Sequence, residues 1–112
     1  MTYFVIRSEQ GPAWDSARSM REQMLWTEHA AYINGLLASD RMILGGPIGD
    51  GTPYRAMVVF VARSEEEVRA RLGEDPWYRA GVLRVNTIER WNLIATHDKL
   101  DPALTALAPS GA

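Results

Sequence analysis

The feature that most constrains the fold is the run from Tyr54 to Ala62, in which nearly every side chain is apolar. Its β-branched and aromatic residues are typical of a strand, whose alternate side chains point to opposite faces of a sheet. One face carries Met57, Val59 and Val61, and the other carries Val58, Phe60 and Ala62. Because both sets are apolar, we expect both faces of the sheet to be covered here.

The rest of the chain supplies three more strands and two long helices, indicated by periodicity and end signals. We expect a strand over Thr2–Arg7, a helix that begins between Trp14 and Met20 and ends near Ser39, a strand over Met42–Leu44, a helix from Ser64 to Gly73, and a strand over Val82–Ile94. The resulting order, β-α-β-β-α-β, predicts an α+β, ferredoxin-like fold with a four-stranded antiparallel sheet.

Two helices cover only one face of such a sheet. We see no spare element for the other face, so we expect a homodimer whose sheets pack face to face. In the last strand, Leu83, Val85, Trp91 and Leu93 share one face, while Ile88 falls on a more polar face. We expect Trp91 to lie in the core.

At 112 residues the chain predicts one domain, over residues 1–95, with a tail over 96–112 that is partly helical or mobile. The formal net charge is −2 and no run of Lys or Arg occurs, so we expect no nucleic-acid partner. No apolar stretch approaches the roughly 20 residues that span a bilayer, and the first apolar run is too short for a signal peptide. The chain has no cysteine. We therefore expect a cytoplasmic location without membrane association.

His29 stands in the apolar stripe of the first predicted helix. Written as a helix, Met24 to Leu37 places Leu25, His29, Tyr32, Ile33 and Leu36 on one side. A histidine in this position either forms a buried hydrogen bond for structural reasons or lines a cavity as a proton donor and acceptor. Both interpretations remain open from the residues alone.

Asp75 is the candidate partner of His29. It precedes Pro76, Trp77 and Tyr78, and Asp before Pro is a common helix N-cap. A carboxylate that reaches an imidazole instead fixes its tautomer and makes it a better base. The two roles coexist only if one carboxylate oxygen caps the helix and the other reaches the imidazole.

Gly45, Gly46 and Pro47 follow the second predicted strand. They either end or bulge that strand, or they let a ligand approach the backbone, with the glycine N–H groups stabilising an oxyanion. Trp77 and Tyr78 are candidate walls for a planar substrate. We find no motif for a metal, a nucleotide or a bound cofactor, and expect none.

The sequence resembles the YCII-related proteins of the dimeric α+β barrel superfamily. The likeness rests on His29, on the stretch from Asp40 to Pro47, on the strand from Ala56 to Val61, and on the stretch from Asp75 to Val82, and it extends over about residues 2–94. It implies a ferredoxin-like subunit that dimerises through its sheets. It also implies an active site with a histidine and an aspartate, here His29 and Asp75.

Three functions follow from these residues and from the resemblance. The first is a cofactor-independent lyase or isomerase, for example dehydrochlorinase-like, that uses His29 and Asp75 on a small planar or enolisable molecule. The second is a non-catalytic dimeric module that binds a small ligand or a partner protein. The third is a cofactor-free monooxygenase of the related barrel type.

Overall fold

A computed structural model describes residues 2–97 of the chain. Its elements, in chain order, are β1 (Thr2–Gln10), a single 3₁₀ turn (Met20–Glu22), α1 (Trp26–Ala38), β2 (Met42–Ile48), β3 (Arg55–Ala62), α2 (Glu65–Gly73), α3 (Pro76–Arg79) and β4 (Leu83–Arg90). Apart from residues 96 and 97, the tail predicted over 96–112 lies outside the described residues. Within residues 2–97, no helix is long and apolar enough to cross a membrane.

The four strands form one antiparallel sheet in the order β2-β3-β1-β4. This topology confirms the predicted ferredoxin-like α+β fold. β3 lies inside the sheet, and one of its faces packs against the helices: Phe60 and Ala62 join Phe4, Ile6, Leu36 and Val68 in the main core. Burial of these apolar side chains is the main stabilising contribution to the fold.

The opposite face of the sheet is already partly covered within a single chain. Tyr3, Val59 and Val61 are buried there, and Ile43 and Leu93 pack against them. Leu93 follows β4 in the chain. Our premise that no spare segment is available for this face is therefore wrong, because the segment after β4 reaches it.

The first helix begins later than predicted, at Trp26. The chain before it folds around the buried amide of Gln23, which hydrogen-bonds the backbone of Asp15 and Arg18. Leu25 then adopts a left-handed conformation with φ of 61° and is exposed. Leu25 therefore caps the helix and does not belong to the apolar stripe.

β2 is longer than predicted and continues through Gly45, Gly46 and Pro47 to Ile48. Proline is tolerated here because β2 is an edge strand, where an absent N–H need not break a ladder. Gly45 is required by packing, since a Cβ at this position would overlap the Val58 side chain. The Gly-Gly-Pro segment is thus part of the sheet.

β4 contains an irregularity that the alternating pattern did not predict. Arg7 pairs with Thr87 but Ser8 pairs with Val85, so Asn86 is the extra residue of a β-bulge. The bulge brings both Val85 and Ile88 against the main core, which corrects the face predicted for Ile88. β4 ends at Arg90, and Trp91 is 42% exposed, so its predicted place in the core is also wrong.

Candidate functional site

His29 and Asp75 meet where α1 passes the junction of α2 and α3. His29 Nδ1 lies 2.9 Å from Asp75 Oδ1 and 2.8 Å from Oδ2. Asp75 is only 1% exposed, and the imidazole side chain is 13% exposed. An ionised carboxylate can only accept, so Nδ1–H donates to Asp75, and in the neutral imidazole Nε2 then keeps its lone pair. Within residues 2–97, no hydrogen bond occupies Nε2.

Asp75 is also the N-cap of α3. Its Oδ1 accepts a hydrogen bond from Trp77 N at 3.0 Å, and Pro76 occupies the first helical position. The structure therefore combines the two roles that the sequence left as alternatives. The cap fixes the carboxylate through the backbone, and the fixed carboxylate in turn orients the imidazole.

Trp77 supports the imidazole from behind and does not line the cavity. Its ring stacks on His29 with centroids 3.9 Å apart and planes 6° from parallel. The indole Nε1–H donates to Met24 O at 2.7 Å, and the side chain is fully buried. The expected role of Trp77 as a substrate wall is thus corrected: Trp77 holds the ring plane of His29.

The exposed edge of His29 lines a cavity of about 170 Å³ between the helices and the sheet. The predicted residues Gly45, Gly46, Pro47 and Tyr78 also line it. The other lining side chains are mostly apolar and include Met20, Trp26, Ile33, Tyr54, Val58, Phe60 and Leu72. A cavity of roughly 150 Å³ accommodates benzene, so this one fits a single small ring.

Tyr78 supplies a hydroxyl at the cavity. Burial raises the pKa of Tyr78 to about 12, and the hydrogen bond with Ser8 only partly offsets this effect. Burial also raises the pKa of Tyr54. Both phenols therefore stay neutral near pH 7 and act as hydrogen-bonding groups, not as bases.

Some residues at the site were not predicted from the sequence. Ser8, whose hydroxyl lies 2.5 Å from that of Tyr78, continues the inward alternation of Phe4 and Ile6 along β1, so its position was a usable signal. Met20 and Trp26 carried no comparable signal, because their places depend on the loop around Gln23. Among residues 2–97, no group of three His, Cys, Asp or Glu side chains is arranged to hold a metal.

Comparisons with known proteins show the family and the fold of the chain. The model of the YCII-related domain matches residues 1–92. A 5-chloro-2-hydroxyhydroquinone dehydrochlorinase from Burkholderia phenoliruptrix AC1100, solved in complex with 2,5-dihydroxybenzoquinone, superposes with a TM-score of 0.61 at 25% identity, covering 80% of this chain and 93% of that chain.

A second solved structure, described as protein YJCS, superposes with a TM-score of 0.52 at 11% identity, covering 82% of this chain and 97% of that one. At this identity the likeness concerns the fold alone. No protein with a curated description matches the chain.

Proposed function

This chain belongs to the YCII-related domain family, and we propose that it is a small-molecule enzyme that acts by acid–base chemistry without a cofactor. The observation that carries the proposal is the contact of 2.8 Å between His29 Nδ1 and a buried Asp75, with the imidazole edge at a ring-sized cavity. The reaction class that fits is a lyase or isomerase reaction on a small planar or enolisable molecule.

In the proposed reaction, His29 Nε2 takes a proton from a hydroxyl or an acidic C–H group of the substrate. The electron pair of the broken bond moves into the substrate. In an elimination, a leaving group then departs with its own bonding pair, and the imidazolium releases its proton to solvent. In an isomerisation, the imidazolium returns the proton to another atom of the substrate.

Asp75 acts through His29 in this scheme. Its negative charge stabilises the imidazolium that forms when Nε2 takes the proton, and in the neutral imidazole its contact with Nδ1 places the proton on Nδ1 and leaves Nε2 as the base. General acid–base help of this kind contributes about 10²–10⁴-fold to a rate. The substrate must therefore already be acidic, as phenols and quinols are.

Gly45 and Gly46 are the proposed place of close substrate approach. Both line the cavity, and because neither has a side chain, their backbone atoms border it. Because β2 is an edge strand, part of its backbone is not paired within the sheet. We assign this backbone the stabilisation of negative charge on a substrate oxygen.

The direct test is chloride release from 5-chloro-2-hydroxyhydroquinone, the compound named for the relative at 25% identity. The assay runs under nitrogen, which prevents oxidation of the quinol and excludes oxygen-dependent turnover. We expect His29→Gln to lower the rate by about 10²-fold or more. The control is His97→Gln, at the other histidine, which is exposed and does not line the cavity.

Asp75→Asn separates the two roles of the carboxylate. The amide oxygen of Asn still caps α3, but the negative charge beside the imidazole is lost. We expect the variant to fold with turnover lowered by at least about tenfold, which corresponds to about 1.4 kcal/mol. Wild-type rates in both His29→Gln and Asp75→Asn would contradict the proposal. Binding of 2,5-dihydroxybenzoquinone without turnover would favour a non-catalytic ligand-binding module.

We further propose that the protein works as a homodimer formed through the second face of its sheet. Leu44 pairs with Val59 and shares its face, yet Leu44 is 48% exposed. Trp91 and Ile94 are also exposed in the segment that follows β4. A partner sheet that packs on this face would bury the part of it that the chain leaves open.

A further inference from the structure

A second cavity lies beside the one that contains His29. Its volume is about 430 Å³, compared with about 170 Å³ for the first. We call the first the inner cavity and the second the outer cavity. Both are lined by Met20, Pro47 and Tyr54, so these three residues separate one cavity from the other.

The two cavities differ in chemistry. The outer cavity is lined by polar side chains that are absent from the inner one, namely Gln10, Ser16, Arg18, Ser19 and Thr52. Arg18 is the one charged residue among those that line it. The inner cavity offers a ring-sized apolar space, whereas the outer cavity offers hydrogen-bonding groups and a positive charge.

Of the three residues that separate the two cavities, Met20 is the one whose side chain can move. The Tyr54 ring is held by stacking on Trp14, with centroids 4.5 Å apart, and Pro47 is fixed within β2. The contact of Met20 with its neighbour is a hydrogen bond of 3.2 Å from the Tyr54 hydroxyl to the Met20 sulfur. Sulfur is a weak acceptor and methionine is unbranched, so the side chain can rotate at small cost.

The backbone around the outer cavity is held in place independently of any ligand. The Gln23 side-chain amide is buried and donates to Asp15 O at 2.7 Å and to Arg18 O at 3.1 Å. Its oxygen accepts from Asp15 N at 2.9 Å. These bonds place Arg18 and Ser19 beside the outer cavity, and a preformed site binds with less loss of conformational entropy.

Arg18 remains available to an anion. Its Nε lies 3.3 Å from Asp15 Oδ2, but both side chains are more than half exposed, and an exposed ion pair of this kind contributes little stability. Asp15 does not line the outer cavity. A ligand carboxylate can therefore replace or share this contact.

We propose that the inner and outer cavities form one binding site for an aromatic or quinonoid ring with a short anionic substituent. The ring lies beside His29, the Met20 side chain rotates aside, and the substituent reaches Arg18 in the outer cavity. This inference rests on the proposed function for the ring position, and it adds the substrate class: ring compounds with a carboxylate-bearing side chain.

The test compares two ligands that share a ring, 2,5-dihydroxyphenylacetate and methylhydroquinone, by calorimetric titration under nitrogen. We expect the wild type to bind the carboxylate compound more tightly. Arg18→Gln should lower that affinity by about three- to fivefold without changing the affinity for methylhydroquinone. Arg69→Gln is the matched control, because Arg69 is an exposed arginine that also contacts a carboxylate but lines neither cavity.

Met20→Ala tests whether the Met20 side chain separates the inner cavity from the outer one. Loss of the side chain opens the inner cavity to the outer one and removes the need for rotation, so the affinity ratio of 2,5-dihydroxyphenylacetate to methylhydroquinone should rise. Met24→Ala, at an exposed methionine that lines neither cavity, should leave the ratio unchanged. General destabilisation would affect both ligands alike and would not change the ratio.

The outcomes separate this inference from the proposed function. If both ligands bind but neither Arg18→Gln nor Met20→Ala changes their affinity ratio, the outer cavity is not a substituent site and the inference is overturned alone. If neither ligand binds the wild type, the ring position beside His29 and the substituent site are both overturned. A change of ratio in Arg18→Gln and in Met20→Ala, with none in the controls, supports the inference.

Discussion

At the scale of single residues, Asp75 decides the chemistry of the site. Its carboxylate caps α3 through Trp77 N and also contacts His29 Nδ1. The sequence predicted each role separately, because Asp before Pro and a histidine on an apolar stripe are both recognisable locally. That one carboxylate performs both roles depends on how α1 packs against α3. Local patterns do not contain this packing, which explains why the alternatives stayed open.

Tyr78 gives a prediction on stability at high pH. Burial raises its folded-state pKa to about 12 from the ordinary 10.0, so the folded protein keeps a proton that the unfolded chain loses. The contribution of Tyr78 to the free energy of unfolding is therefore fully present below about pH 10 and is lost as the pH rises toward 12. Tyr78→Phe has no hydroxyl to ionise at this position. Over this pH range, its free energy of unfolding should therefore fall by up to about 2–3 kcal/mol less than that of the wild type.

Urea denaturation at a series of alkaline pH values measures this difference. The other tyrosines are present in both proteins, so the difference between wild type and Tyr78→Phe isolates Tyr78. Parallel curves for the two proteins would contradict the prediction and would indicate that the hydroxyl is solvated in the folded state.

At the scale of elements, the sequence predicted the helices with strong end signals and misjudged those whose limits depend on distant contacts. The second helix starts at Ser64 as predicted, and Ser64 caps it through a hydrogen bond from Glu67 N to its hydroxyl. The predicted start of α1 was wrong, because the buried Gln23 amide replaces helical hydrogen bonds in the segment before Trp26. The bulge at Asn86 likewise depends on the pairing of β4 with β1, which residue alternation cannot indicate.

The two glycines of β2 give a matched pair of predictions. Gly45→Ala places a Cβ against Val58 and Met42, so we expect it to lower the free energy of unfolding by about 1–3 kcal/mol. Gly46→Ala meets no protein atom, so its stability should stay near that of the wild type. Gly46 pairs with Met57, so its new methyl group lies on the second sheet face and not in the cavity.

Thermal unfolding of both variants measures these effects. The stability loss in Gly45→Ala should exceed that in Gly46→Ala, and equal losses would contradict the close packing of Gly45 against Val58.

At the scale of the whole molecule, the fold was predictable because the alternation in β3 and the order of elements restrict the topology to few choices. It was harder to predict which residues pack against the second face of the sheet. Its apolar character was evident from Val59 and Val61, but the sequence did not show that Leu93 packs there. The part left exposed, including Leu44, is what the proposed homodimer would bury.

Leu44→Glu tests the homodimer. A charge at this edge of the second face would be buried without a partner in the dimer, so we expect the wild type to sediment as a dimer and the variant as a monomer. Met24→Glu, at an exposed methionine before α1, is the control and should remain dimeric. Sedimentation velocity at micromolar concentration distinguishes these states. A monomeric wild type would refute the homodimer and leave the site within one chain unaffected.

The proposed reaction requires that Nε2 of the neutral His29 ring is the unprotonated nitrogen and faces the cavity. A long-range ¹H–¹⁵N spectrum of the imidazoles at about pH 9, where histidine side chains are ordinarily neutral, measures this directly. We predict that His29 carries its proton on Nδ1 and that 2,5-dihydroxybenzoquinone shifts its Nε2 resonance but not those of His97. A proton on Nε2, or a His29 that ignores the ligand, would contradict the central claim.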